Sequence, residues 1–236
     1  MKKPWLTKIL ILAILVASIP FWDIKKAGAT TTDFTPSDDA YMESYDATTW
    51  ATAWGATDAD TMTDTQLIAG TRGAAPFYIY TQFLNFDTSS IPDGDTITGA
   101  TLTLVGYNTT NPLNSRSYLP YSSTAADTIT TADFDQRGTT AYSDTAIASA
   151  DWNTSGNNTW TLNAAGIAAI NKTGLTKISI REVIYDVGNT EPADIAYIWA
   201  RSSATAGSEP KLTVTYSSGA VASTPGGFTQ RAYLID

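Results

Sequence analysis

The sequence predicts an all-β fold, an antiparallel β-sandwich of jelly-roll-like form with one short helix. Three observations predict it. Apolar and polar residues alternate with period two in several short runs, as in strands with one buried face. Gly, Pro, Asn and Asp clusters separate those runs at short intervals. Thr, Ser, Asn, Asp and Gly are abundant, which disfavours long helices.

Each element follows in chain order. After a Thr run that reads as unstructured, residues 40–44 form a first strand, and the Asp- and Thr-rich stretch that follows, to about residue 64, reads as loop. "TQLIAGTRG" is a short strand, and "PFYIYTQFLNFD" is the strongest strand signal in the chain. "IPDGD" is a turn, with Pro92 presetting φ and Gly94 tolerant of positive φ. In the outgoing strand Ala100, Leu102 and Leu104 share one face, and Ile97 has the wrong parity for that row. A bulge at Thr98-Gly99 restores it. "SYLPYSS" and "DTITTADF" read as short strands. Asn163 is placed to cap a helix over 164–170, with Gly174 as its stop. "LTKISIREVIYD", "DIAYIWARSS" and "PKLTVTYSS" complete the strands.

The termini divide the chain into three parts. Residues 1–29 have a basic start, an apolar run from Ile9 to Trp22 and a small-residue "AGA" site, the pattern of a cleaved signal peptide. Residues 30–217 form the sandwich domain. Residues 218–236 are a flexible linker and a short apolar tail, "FTQRAYLID". The expected location is therefore secreted, extracellular or at a cell surface.

Cleavage removes five lysines and one aspartate and moves the net charge from −9 to −13. Such an acidic chain repels phosphate backbones and anionic lipid heads, so neither nucleic acid nor, after cleavage, a membrane is an expected partner. The absence of His and Cys excludes Ser-His and Cys-His nucleophiles and ordinary zinc sites. Glu182, inside an apolar strand beside Arg181, reads as solvent-facing or arginine-paired, and no catalytic residue is predicted.

Several segments resemble a known family. "FLNFDTSSIPDGDTITGATLTL", "WTLNAAGIAAI" and "EPKLTVTY" are similar to motifs of secreted DNRLRE-type domains, over roughly residues 32–217. Asn85 stands where many relatives place a basic residue, and "ISIREV" around Arg181 is the nearest string to the family's arginine motif. The resemblance implies a jelly-roll sandwich akin to carbohydrate-binding modules, the alginate-binding type especially.

Two sets of candidate site residues follow from the sequence. Trp50, Trp54, Tyr107, Tyr118 and Tyr121 lie in polar, loop-like stretches, where exposed rings would stack on sugar faces. The competing account for each is local packing. Trp160 and Trp199, in apolar runs, are expected in the core. Asp38, Asp39, Glu43 and Asp46 cluster in sequence as a candidate structural calcium site, against the plainer account of solvated turn residues. Asn108, Asn153, Asn157 and Asn171 fit the N-glycosylation pattern.

The expected function is a secreted, non-catalytic β-sandwich module with an adhesive role that binds extracellular polysaccharide. The alternative is a structural subunit of a surface layer, extracellular filament or virion. That subunit would join neighbouring subunits, a homo-oligomer included, by strand addition through the C-terminal tail.

Overall fold

A computed structural model describes residues 28–111 and 116–218, so the predicted leader up to residue 27 and the tail from 219 lie outside the described residues. Within them every strand pairing is antiparallel. The first layer is β1 (Ala29–Phe34), β13 (Lys211–Ser218), the first part of β6 (Asp95–Thr110) and β10 (Asn157–Thr161). The second is centred on β5 (Phe77–Asp87), which pairs along its length with β2 (Pro36–Asp46), itself edged by β3 (Thr61–Thr63).

The other edge of β5 is shared. Its first half pairs with β4 (Leu67–Arg72) and then, through β12 (Ile195–Ala200), reaches the end of β6. Its second half pairs with β11 (Leu175–Glu182), which leads to β7 (Ser117–Ser123), β8 (Arg137–Ala141) and β9 (Ile147–Ala148). The 16-residue β6 thus belongs to both layers.

The main core lies between the layers. Ala100, Leu102, Leu104, Leu212 and Val214 from the first meet Leu84, Phe86, Ile178, Ile180 and Ile198 from the second. Each such side chain contributes about 1.5–3 kcal/mol on burial. A smaller core lies beneath helix α1 (Trp50–Trp54), where Trp50 and Ala53 cover Ala40, Met42, Phe77 and Ile79.

The bulge falls where the sequence puts it. Thr215 faces Gly99 and Tyr216 faces Ile97, so Thr98 is the extra residue. Ile97 then packs against the core row of Ala100, Leu102 and Leu104. Helix α2 (Ala164–Ala168) starts at Asn163, whose side chain accepts from the Gly166 N–H at 3.0 Å.

Three expectations are corrected. The Thr run is ordered as β1, because each residue from Ala29 to Phe34 has a partner on β13. The predicted loop contains α1, capped by the Thr49 side chain on the Thr52 N–H. "DTITTADF" runs into a 3₁₀ helix at Thr131–Gln136 instead of a strand. Asp133 folds back onto Thr130 there, donating nothing but accepting from its N–H at 2.8 Å, which closes the turn.

A buried charge cluster secures the end of β11. Glu182 is fully buried, not solvent-facing, and its carboxylate accepts from the N–H groups of Ile184, Tyr185 and Asp186 in the π-helical turn Val183–Val187. Arg181 donates to both oxygens of buried Asp186, at 2.9 and 2.7 Å. Burial alone would raise the Asp186 carboxyl, but the charges of Arg181 and Arg137 and the Arg181 hydrogen bonds outweigh it and hold it below the usual carboxylate range. Its contribution to stability is therefore complete above the ordinary value of 3.8 and is lost as pH falls below it. Asp186→Asn leaves two guanidinium groups without their shared anion, and denaturant unfolding at neutral pH should show a loss of about 3–5 kcal/mol. That loss should shrink as the parent protein is taken below pH 3.8.

Candidate functional site

Strand alternation builds an aromatic face. In β2 and β5, Met42, Ser44, Phe77 and Ile79 lie under α1, with Ser44 Oγ donating to the Ala53 carbonyl at 2.8 Å. Successive side chains of a strand point to opposite sides, so Glu43, Tyr45, Tyr78 and Tyr80 take the other face. There Tyr45 stands opposite Tyr78, and Glu43 opposite Tyr80. The row continues across the sheet through Gly70 and Arg72 on β4, then Tyr197 and Trp199 on β12, with Asn108 of β6 opposite Trp199.

The rings form a continuous chain of contacts. Centroids are 5.1 Å apart for Tyr45–Tyr78, 5.9 Å for Tyr78–Tyr80, 5.1 Å for Tyr80–Tyr197 and 4.6 Å for Tyr197–Trp199. Tyr78 and Tyr80 are parallel within 4°, while the other contacts are tilted by 50° to 73°. Tyr41 joins from β2, 6.1 Å from Tyr80. Tyr45 is 40% exposed, and Tyr78, Tyr80, Tyr197 and Trp199 are half-buried against one another.

Gly70 makes the middle of this chain possible. It lies opposite both Tyr80 and Tyr197, so the two rings meet over a position with no side chain. A Cβ at Gly70 would lie 2.3 Å from the Ala196 carbonyl oxygen, and φ is +148°. Only glycine fits this backbone and this spacing.

Polar groups border the rings. The Arg72 guanidinium is 5.4 Å from the centre of the Tyr78 ring. The Tyr80 hydroxyl is hydrogen-bonded to Glu43; burial raises the Glu43 carboxyl, that bond opposes the rise, and Asp60 adds to it. Burial and the Glu43 charge push the Tyr80 hydroxyl well above the ordinary tyrosine range. Donors, acceptors and apolar ring surface thus alternate along one face.

The residues expected from sequence are placed otherwise. Trp50, the first residue of α1, is 6% exposed, Tyr118 is fully buried and Tyr121 is 4% exposed, so their rings are core and offer no face to a ligand. Tyr118 and Tyr121 sit on β7, the strand expected over "SYLPYSS", and both pack in the main core. Trp54 is half-buried, its indole N–H donating to the Asp186 carbonyl at 2.7 Å. Tyr107 is half-buried, donates to Gln66 and carries the Arg201 guanidinium 4.3 Å above its ring. Trp160 is core as expected, whereas Trp199 belongs to the aromatic face.

The four acidic residues proposed for calcium are separated by their own hydrogen bonds. Asp38 accepts from the Ile129 N–H, Asp39 from the N–H and hydroxyl of Ser203, and Asp46 from the N–H groups of Thr48 and Thr49. Glu43 is taken by Tyr80. Among the described residues no three acidic side chains converge on a point that could hold an ion. All four lie on β2, spread from position 38 to 46 of one extended strand, which keeps the four side chains from sharing one centre.

The face itself carries a signal that loop-based reasoning passes over. "YIY" and "YIW" place aromatics two apart, at Tyr78–Tyr80 and Tyr197–Trp199, and "YMESY" places them four apart, at Tyr41 and Tyr45, an even spacing in every case. Aromatics at that spacing on neighbouring strands share a face whenever the intervening residue is buried.

Comparison with known proteins adds little. No family model matches the chain, and no curated protein does. Among solved structures, a xylan-binding module, CBM15, is similar at a TM-score of 0.36 and 10% identity, over 80% of this chain and 97% of that one.

The Gly70 geometry predicts that Gly70→Ala displaces Tyr197 from Tyr80. Near-ultraviolet circular dichroism of the aromatic bands should change, and thermal unfolding should show a loss of about 1–3 kcal/mol.

Proposed function

We propose that this chain is a non-catalytic module that holds polysaccharide on the aromatic face of β2, β5, β4 and β12. The observation that carries this reading is the unbroken row of Tyr45, Tyr78, Tyr80, Tyr197 and Trp199, bordered by Arg72 and Glu43. Sugar rings offer C–H faces to aromatic groups and hydroxyls to charged or amide side chains, and this face supplies both. Setting the site on paired strands keeps the rings in register without ligand, so little ordering entropy is lost on binding. Secretion, expected from the leader, would bring the face to extracellular glycans.

A second reading, the structural subunit that assembles by strand addition, is favoured by β1. It is paired on one side with β13, and no other strand among the described residues takes its outer edge. Sedimentation of the purified chain, monomeric for the first reading and polymeric for the second, separates the two.

Affinity electrophoresis in gels containing soluble polysaccharides tests the binding reading. At least one polysaccharide should retard the parent protein. Tyr78→Ala and Tyr80→Ala should each weaken retardation about tenfold, in line with the loss of one stacked ring. Trp50→Ala should unsettle the fold instead, because Trp50 is core. Migration unaffected by any polysaccharide, neutral or acidic, would overturn the reading.

A further inference from the structure

The cations of the chain are unevenly engaged. The described residues contain eight lysines and arginines. Six of them meet a carboxylate or a carbonyl: Arg116 and Arg181 reach aspartates, Arg137 the Trp54 carbonyl, Lys172 the Asp95 carbonyl, Lys177 Asp127, and Lys211 Asp33. Arg72 and Arg201 make no side-chain hydrogen bond or ion pair among the described residues. Both stand on the aromatic side of the sheet, and each lies over a tyrosine.

Arg72 is half-buried on β4, its guanidinium carbon 5.4 Å from the centre of the Tyr78 ring. Arg201 is exposed and stands two residues beyond Trp199, on the same side of the strand, because its N–H continues the pairing with β6 at the Val105 carbonyl. Its guanidinium carbon lies 4.3 Å over the Tyr107 ring, and the Tyr107 hydroxyl is fixed on Gln66. A guanidinium stacked on a ring keeps its N–H groups directed outward in its own plane, as a rigid fork. Both forks reach solvent, and neither has an acceptor within the protein.

On the reading of this face as a polysaccharide site, we propose that Arg72 and Arg201 set its specificity, each gripping two neighbouring hydroxyls of one sugar in a neutral chain. Two adjacent hydroxyl oxygens match the two parallel N–H groups of a fork, whereas a lone hydroxyl fills half of it. A uronate polymer fits less well. Glu43 and Asp60 lie together at the β2 border, held by the Tyr80 hydroxyl and the Tyr45 N–H, so two carboxylates offset the two free guanidinium groups. The chain as a whole carries −9, and such a surface draws no polyanion towards it.

Affinity electrophoresis in gels containing a soluble β-glucan, arabinoxylan, galactomannan or polygalacturonate tests the proposal. At least one neutral polymer should retard the parent protein, and raising salt from about 50 to about 500 mM should change that retardation less than about twofold. Arg72→Lys and Arg201→Lys, which keep the charge and lose the fork, should each weaken it about tenfold with an unchanged unfolding temperature. Mild periodate oxidation of the same polymer, which splits the bond between adjacent hydroxyl-bearing carbons, should abolish retardation of the parent. Parent-like retardation of either Lys variant, while Tyr78→Ala loses it, would overturn the role of the arginines and leave the aromatic face standing. So would retardation by polygalacturonate alone that disappears at high salt. No retardation by any polymer would remove the polysaccharide reading, and this one with it.

Discussion

Period-two alternation along β2 and β5 is the constraint on which the rest of the molecule depends. Once Met42, Phe77 and Ile79 are buried beneath α1, the tyrosines between them have one side left. The same rule at the far end of β5 sends Leu84 and Phe86 into the main core. A one-residue slip of β5 against β2 would bury tyrosine hydroxyls and expose both cores, so the register is strongly specified. The aromatic face is thus a by-product of core formation, held by the same apolar contacts that hold the fold.

Charge does a different job at the other end of the sheet. Glu182 closes the turn after β11 by satisfying three N–H groups that burial would otherwise leave unpaired. Arg181 and Asp186 are satisfied by one another and by the Gly138 carbonyl, which ties β11 to β8. This arrangement gives the Arg181 string of the sequence a structural explanation with no ligand in it. Nη1 of Arg137 and Nε of Arg116 are left without a hydrogen bond.

Much of the fold was legible in the sequence because it rests on local signals. The bulge at Thr98 follows from a parity conflict between Ile97 and Ala100, and the α2 cap follows from Asn163 alone. Helix α1 was missed because five residues of Trp, Ala and Thr carry no helical period, and its stability comes from packing on β2 and β5. The aromatic face was missed for a related reason. Tyr78 and Tyr80 sit in the most apolar run of the chain, where rings suggest core, while Tyr118 and Tyr121 sit in polar sequence that nevertheless forms the buried strand β7. Which side of a strand meets solvent depends on what covers it, and α1 and the first layer are distant in sequence.

The acidic surface and the aromatic face fit together physically. Net negative charge disfavours self-association, and Arg72 supplies a local cation beside Tyr78. Nuclear magnetic resonance of the aromatic side chains during titration with a bound polysaccharide reads directly which rings meet the ligand. Ring signals of Tyr45, Tyr78, Tyr80, Tyr197 and Trp199 should shift, with Trp50, Tyr118 and Tyr121 unmoved. Shifts confined to Trp50, Tyr118 and Tyr121, with the strand tyrosines silent, would contradict the aromatic-face account.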